Sequence, residues 1–290
     1  MKLIVTADWH LRHTPPRCLK PCDWIGVQKK ALGQIAKYAE EFGANVACVG
    51  DIFHNVNDTD FELVSMVQDF ALKLDKHDLS LYILAGNHDL PFHAIDNLPK
   101  SAVNTLYNSY NIYPLKQLNK NVSAADFGGD VEDKKYVFRH ILTFPSDKDM
   151  PPGCDGKSAF DLMAETPSAR WIFVGDYHRH FVVYGHDCVV VNPGCLTIQA
   201  ADFADYNPVV YYVDTKTSDV QELAIKVESE MQDLTDIADV TDYDEFINKV
   251  RDQNELTVDF VSNVKKALRK APDELKSTII QLFDSVGVNL

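Results

Sequence analysis

The chain has 290 residues and 46% hydrophobic content, enough for one sizeable domain plus an appendage and too apolar for a disordered segment. Its formal net charge of −15 is the wrong sign for a protein that grips phosphate backbones by charge alone, although a bound cation cluster can invert the local field. No run reaches the roughly 18 to 20 apolar residues that span a bilayer. The start, "MKLIVTADWH", lacks the apolar core and small-residue cleavage site of a signal peptide, so a cytoplasmic location with no membrane partner is expected. Six cysteines are few for this length, and the lone Cys18-x3-Cys22 pair, with no second pair downstream, reads as reduced thiols rather than a zinc site.

In chain order, "KLIVTA" predicts a buried strand and "VQKKALGQIAKYAEEFG" an amphipathic helix closing at Gly43. "NVACVG" predicts a second strand, "DFELVSMVQDFALKLDK" a second helix and "LSLYILAG" a third strand. Strand–helix–strand order with short connections means a parallel, helix-covered sheet. Beyond about residue 134 the texture changes to "KKYVFRHILTF", "RWIFVGDYH", "FVVYGHDCVVV" and "PVVYYVDT", strands joined mostly by turns, which predicts a mixed or antiparallel sheet. The expected class is therefore α/β, two stacked mixed β-sheets flanked by helices, spanning residues 1–227. From 228 to 290 the pattern is polar and helical, opening on the acidic stretch "DLTDIADVTDYDE", and predicts a short helical appendage.

The informative residues sit where the strands stop. The first three strands end on Asp8 and His10 ("TADWH"), on Asp51 ("VGDIFH") and on Asn87 and His88 ("AGNHD"). His140 lies within "VFRHILT", and Asp176 and His178 follow "WIFVG". Ligands of parallel α/β sheets bind outside the carboxyl ends of the strands. Asp and His are seldom buried without partners, so a shared divalent-metal site explains five such strand ends better than five separate turns. Oxygen and imidazole ligands without thiolate favour Mn2+, Fe2+ or Zn2+ over a cysteine-rich structural zinc.

The ordered set D-x-H, G-D-x-x-H, G-N-H-D, a lone His and a G-x-x-H resembles the calcineurin-like metallophosphoesterase superfamily over about residues 1–214. Within it, "TADWHL", "GDIFH" and "AGNHD" look most like the SbcD-type DNA exonuclease subunit, phage versions included, which pairs with an SMC-like ATPase of the SbcC type. The resemblance implies a four-layer sandwich and two divalent metals, Mn2+ foremost, with Fe2+, Zn2+ and Mg2+ as alternatives. It implies that Asp8 and His10 hold one metal, that Asp51 bridges both, and that Asn87 and His140 hold the second. In the family's G-H-x-H motif the first His serves the second metal and the next His the first. This chain reads Gly175-Asp176-Tyr177-His178, so Asp176 stands where a His is usual; the alternative register uses His178 and His180.

On this resemblance a water bridging the metals is the nucleophile, and His88 is the general acid for the leaving alkoxide. Asp89 hydrogen-bonds an imidazole or the turn backbone, and His54 takes a substrate-side role. Arg12 and Arg17, in the basic segment after the first motif, are candidate phosphate contacts. "NPGCL" (192–196) shapes the rim with Cys195 inert, while His13, His77, His93 and His186 read as solvated. DNA is the expected substrate and pairing of two chains is implied; a phage-encoded chain would act in the host cytoplasm. A nucleotide phosphatase or cyclic-nucleotide phosphodiesterase fits the acidic charge, and a scaffold with a degenerate site is the reading that a non-ligating Asp176 would favour.

Overall fold

The computed structural model describes residues 1–151, 153–200, 205–228 and 230, all within the first of the chain's two units, Met1–Gln232. The helical appendage expected over 228–290 lies outside the described residues, apart from Glu228 and Glu230.

The chain runs β1 (Lys2–Thr6), α1 (Trp24–Phe42), β2 (Asn45–Val49), α2 (Phe61–Asp75), β3 (Leu81–Leu84), α3 (Ala102–Tyr107) and β4 (Ile112–Pro114). It continues through β5 (Val122–Ala125), β6 (Tyr136–His140), the short pair β7 (Thr143–Phe144) and β8 (Lys157–Ser158), and α4 (Ala159–Glu165). Then follow β9 (Trp171–Gly175), β10 (Phe181–Tyr184), β11 (Val189–Asn192), β12 (Val209–Asp214) and β13 (Asp219–Ala224). Helix α1 starts where the Asp23 carboxylate accepts the Gly26 N–H, and it buries Val27, Ala31, Ile35 and Ala39 along one stripe. It stops at Gly43, whose φ of 57° returns its N–H to the last turn. Asp60 caps α2 in the same way through the N–H groups of Glu62 and Leu63.

Six strands in the order β13-β12-β1-β2-β3-β4 make the first sheet, with β1 to β4 parallel. The second sheet has the order β10-β11-β9-β6-β5. Period-two alternation divides each strand between two layers. Ile4 and Val46 face the helix-side core, whereas Leu3, Val5 and Ala47 face the second sheet. That inter-sheet layer also holds Phe138 and Phe173, stacked at 4.5 Å between ring centres, and each such buried ring contributes about 2–3 kcal/mol. Residues of the opposite parity, Val137, Ile172 and Val174, pack outward against Leu162 of α4. The result is the expected four layers, helix, sheet, sheet, helix.

The second sheet is mixed, as expected. Apart from the edge strand β10 it is parallel: β5 with β6, β6 with β9, and β9 with β11. The reason is burial on both faces, since β9 is buried at every position and therefore reads as a continuous apolar run rather than an alternating one. Parallel pairing also means that β6 and β9 end at the same edge. Their ends bring His140 level with Gly175. Among the described residues no helix is long and apolar enough to cross a membrane.

Candidate metal centre

Asp8, His10, Asp51 and Asp176 all follow a parallel strand, and all four take left-handed backbone conformations, with φ of 49°, 45°, 50° and 88°. For non-glycine residues this costs on the order of 1–3 kcal/mol each, and it persists only where the surroundings fix it. Here the loops after β1 and β2 fix one another. Asp8 N–H donates to Gly50 O (3.0 Å), His10 N–H to Asp51 O (3.0 Å) and Leu11 N–H to Ile52 O (2.9 Å). Gly50 has φ +92°, and a Cβ there would overlap the His140 imidazole; a Cβ on Gly86 would overlap the Asp51 carboxylate. The glycines before Asp51 and Asn87 thus permit close approach. Gly50→Ala is expected to cost about 2–5 kcal/mol of strain and overpacking, read as a lower urea midpoint. An unchanged midpoint would contradict the packing of His140 on this loop.

Acceptor atoms converge in front of these loops. The Nδ1–H of His140 donates to Val49 O (2.7 Å), which leaves its Nε2 3.0 Å from Asn87 Oδ1 and 3.4 Å from Asp51 Oδ2. His10 Nε2 lies 3.0 Å from His178 Nε2 and 3.7 Å from the same Asp51 oxygen. Asp8, His10 and His178 form one group whose ligand atoms lie within 4.8 Å of one another, and Asp8, Asp51 and His140 form another. Asp51 Oδ2 is buried and accepts no hydrogen bond. A buried carboxylate oxygen without a donor, facing imidazoles of both groups, fits a cation-bridging position. The donor set of carboxylates, imidazoles and one amide fits two divalent cations.

The charges tell the same story. Burial, reinforced by the charge of Asp51 and opposed by His140, raises the Asp8 carboxyl well above its ordinary range. Burial acts likewise on Asp51, but His140, His10 and His88 outweigh it and hold Asp51 well below that range. Burial drives His10 well below the ordinary imidazole value. His140 goes the other way: burial lowers it, but Asp51 and Asp8 outweigh burial and raise it well above that value. A cation at this place needs the His140 Nε2 and the Asp8 carboxyl deprotonated, so affinity falls as pH falls. Titrating Mn2+ calorimetrically in two buffers of different ionisation heat should show net proton release that grows as pH falls. Heats independent of the buffer would contradict this.

His88 stands beside the centre, 4.9 Å from His10 between ring centres. Its backbone N–H donates to Asp51 Oδ1 (2.9 Å) and its Nδ1–H to His54 O (2.7 Å), which leaves Nε2 for a ligand or substrate. Asp89 is buried and holds the turn, accepting the N–H groups of Gly86, Ile52 and Phe53 at 2.9–3.1 Å. Burial and the Asp51 charge push its carboxyl up to about 7 against those donors. It positions the Asp51 and Asn87 loops and does not face a substrate. His54 stacks on His88 at 5.6 Å, and its ring joins His10 and His88 in a third group of ligand atoms.

Arg12 is half-buried beside His54. It is largely turned inward: Nη1 donates to His54 Nε2 (2.9 Å) and Nη2 to Gln199 Oε1 (2.8 Å). Burial, then Arg12 and His88, pull His54 down to about 4, so it is neutral at physiological pH. Arg17 is exposed.

The carboxylate of Asp176 belongs to none of the three ligand groups; its backbone N–H donates to both oxygens of Asp8 (3.1 and 3.2 Å). His178 is the residue of that loop that joins Asp8 and His10. The alternative register fails on position, because His180 packs against Tyr206 and Tyr211 with Glu222 3.7 Å away. "NPGCL" does shape the rim: Asn192 Nδ2 donates to the carbonyls of Tyr177 and Arg179, and Cys195 N–H donates to His178 O. Burial pushes the Cys195 thiol far up, which keeps it protonated and inert. His13, His77 and His186 are exposed as expected, but His93 is half-buried, its Nδ1–H donating to Asn87 O (2.7 Å). No pattern within "DLPFH" announces that contact.

The fold and the centre define a protein that places paired carboxylate and imidazole ligands for divalent cations at the carboxyl edges of two stacked sheets. The chain belongs to the calcineurin-like phosphoesterase family, whose pattern matches residues 1–213, and is a metal-dependent phosphoesterase. No curated protein matches the sequence. Among solved structures it is similar to an archaeal phosphodiesterase (14% identity, TM-score 0.40, covering 77% of this chain and 99% of the other). It is also similar to a hypothetical protein of Pyrococcus horikoshii (15%, TM-score 0.43, 84% and 93%). A third is a 5'-nucleotidase from Staphylococcus aureus, so described in its name as a tentative assignment (12%, TM-score 0.43, 80% and 54%). Membership rests on the matched residues 1–213 and not on these likenesses.

Proposed function

We propose that this phosphoesterase is a two-metal phosphodiester hydrolase acting on DNA, an SbcD-like exo- or endonuclease subunit that uses Mn2+. The observation that carries the two-metal chemistry is Asp51 Oδ2, unpartnered, with His140 at 3.4 Å on one side and His10 at 3.7 Å on the other. Two bound cations supply a water acidified for attack near neutral pH and neutralise charge growing on the phosphoryl oxygens. Asp8, His10 and His178 hold one side of the centre, Asn87 and His140 the other, and Asp51 serves both. His88, its Nδ1–H spent on His54 O, gives the proton on Nε2 to the leaving oxygen. Burial and then Arg12 keep His54 neutral, and the Arg12 bond fixes its ring beside His88.

DNA as the substrate is supported by the "GDIFH" wording, whose His54 stacks on His88. An SMC-like ATPase partner and pairing of two chains accompany this reading. The test is Mn2+-dependent hydrolysis of end-labelled single- and double-stranded DNA beside bis-p-nitrophenyl phosphate. Shortened DNA, with Asp51→Ala inactive, is the expected result. Hydrolysis of the small diester alone would remove DNA as the substrate of the isolated chain and leave nucleotides, which the net charge of −15 favours.

A further inference from the structure

We propose that Phe92 is a stacking platform for the nucleobase attached next to the scissile phosphate, an inference that rests on a nucleic-acid or nucleotide ester being the substrate. Phe92 is 67% exposed, yet it does not sit on a loose loop. Leu90 before it is buried, Asn97 Nδ2 donates to Pro91 O (3.0 Å), and His93 N–H donates to Leu90 O (2.9 Å). His93 also reaches back through Nδ1–H to the carbonyl of Asn87, and its ring centre is 5.8 Å from that of His88. The backbone that carries Phe92 is therefore tied to the turn that carries a ligand and the proposed acid.

The backbone makes the exposure deliberate. Phe92 (φ 57°) and His93 (φ 50°) are consecutive left-handed residues, and neither is glycine. Strain of this kind is kept where a site requires it. Other exposed aromatic side chains lack this setting: Phe61 and Phe160 sit in α2 and α4, in ordinary helical backbone. An exposed flat apolar face, carried one residue before the His93 that meets His88 and Asn87, suits a group that is planar, aromatic and linked to phosphate. Every nucleobase offers such a face, which makes the contact tolerant of sequence.

The test compares Phe92→Ala and Phe92→Trp with the parent chain, all in a His88→Ala background with Mn2+ so that turnover is suppressed. Affinities are measured for a thymidine oligonucleotide and its abasic counterpart of equal length, and for thymidine 5'-monophosphate and deoxyribose 5-phosphate. Phe92→Ala should weaken the base-bearing ligand about tenfold and leave the base-free one unchanged, while Phe92→Trp keeps the preference. Base-dependent loss on the monophosphate, without oligonucleotide binding, upholds the platform and overturns DNA as the substrate. Equal loss on both members of a pair, no loss, or no preference for the base in the parent chain overturns the platform, whether or not DNA is cut.

Discussion

Asp51→Asn is expected to remove most bound metal and lower kcat/KM by about 10³-fold or more, the scale of two-metal charge stabilisation. The substitution is nearly isosteric and keeps an acceptor for the His88 N–H that now meets Oδ1 at 2.9 Å. It replaces an anionic oxygen, 3.4 Å from His140 and 3.7 Å from His10, by a neutral amide. Metal content should fall below one per chain from about two. Chelated protein should also be less stable, because the Asp51 charge that raises the His140 imidazole is gone. Full metal content with full activity would show that Asp51 is a structural carboxylate.

His88→Ala is expected to act differently. Metal should stay at about two per chain, while kcat for a diester with an alkoxide leaving group drops about 10²- to 10⁴-fold. For a p-nitrophenyl diester, whose leaving group departs without a proton, the loss should stay below about tenfold. The contrast follows from the hydrogen bonds: His88 is oriented by Asp51 Oδ1 and His54 O, which leaves its Nε2 for the leaving group. Equal loss on both leaving groups, or loss of metal with the imidazole, would make His88 a ligand and not the acid.

The first half of the fold was legible because its signals are local. Capping at Asp23 and Asp60, the apolar stripes of α1 and α2, and the strands between them all lie within short windows of sequence. The site residues were legible for the same reason, since Asp8, Asp51 and Asn87 each follow an apolar strand directly. The mixed character of the second sheet was legible too, but not which of its strands are parallel; continuous burial of β9 and β11, runs of Val, Ile and Phe, marks them as a parallel pair. β4 and β5, "IYP" and "VSAA", are too short and too weakly patterned to announce themselves. The bond of Arg12 to Gln199 was not legible, because the two lie 187 residues apart and no window contains both. At "GDYH" the sequence offers a carboxylate in ligand position; what no local pattern shows is the left-handed backbone at Asp176, whose N–H meets the Asp8 carboxylate.

The most direct measurement is a crystal structure of the chain loaded with Mn2+, with an anomalous difference map at the manganese edge. The account requires two peaks roughly 3.5–4 Å apart, with Asp51 between them, Asp8, His10 and His178 around one, and Asn87 and His140 around the other. A single peak, or two peaks that do not share Asp51, would contradict it.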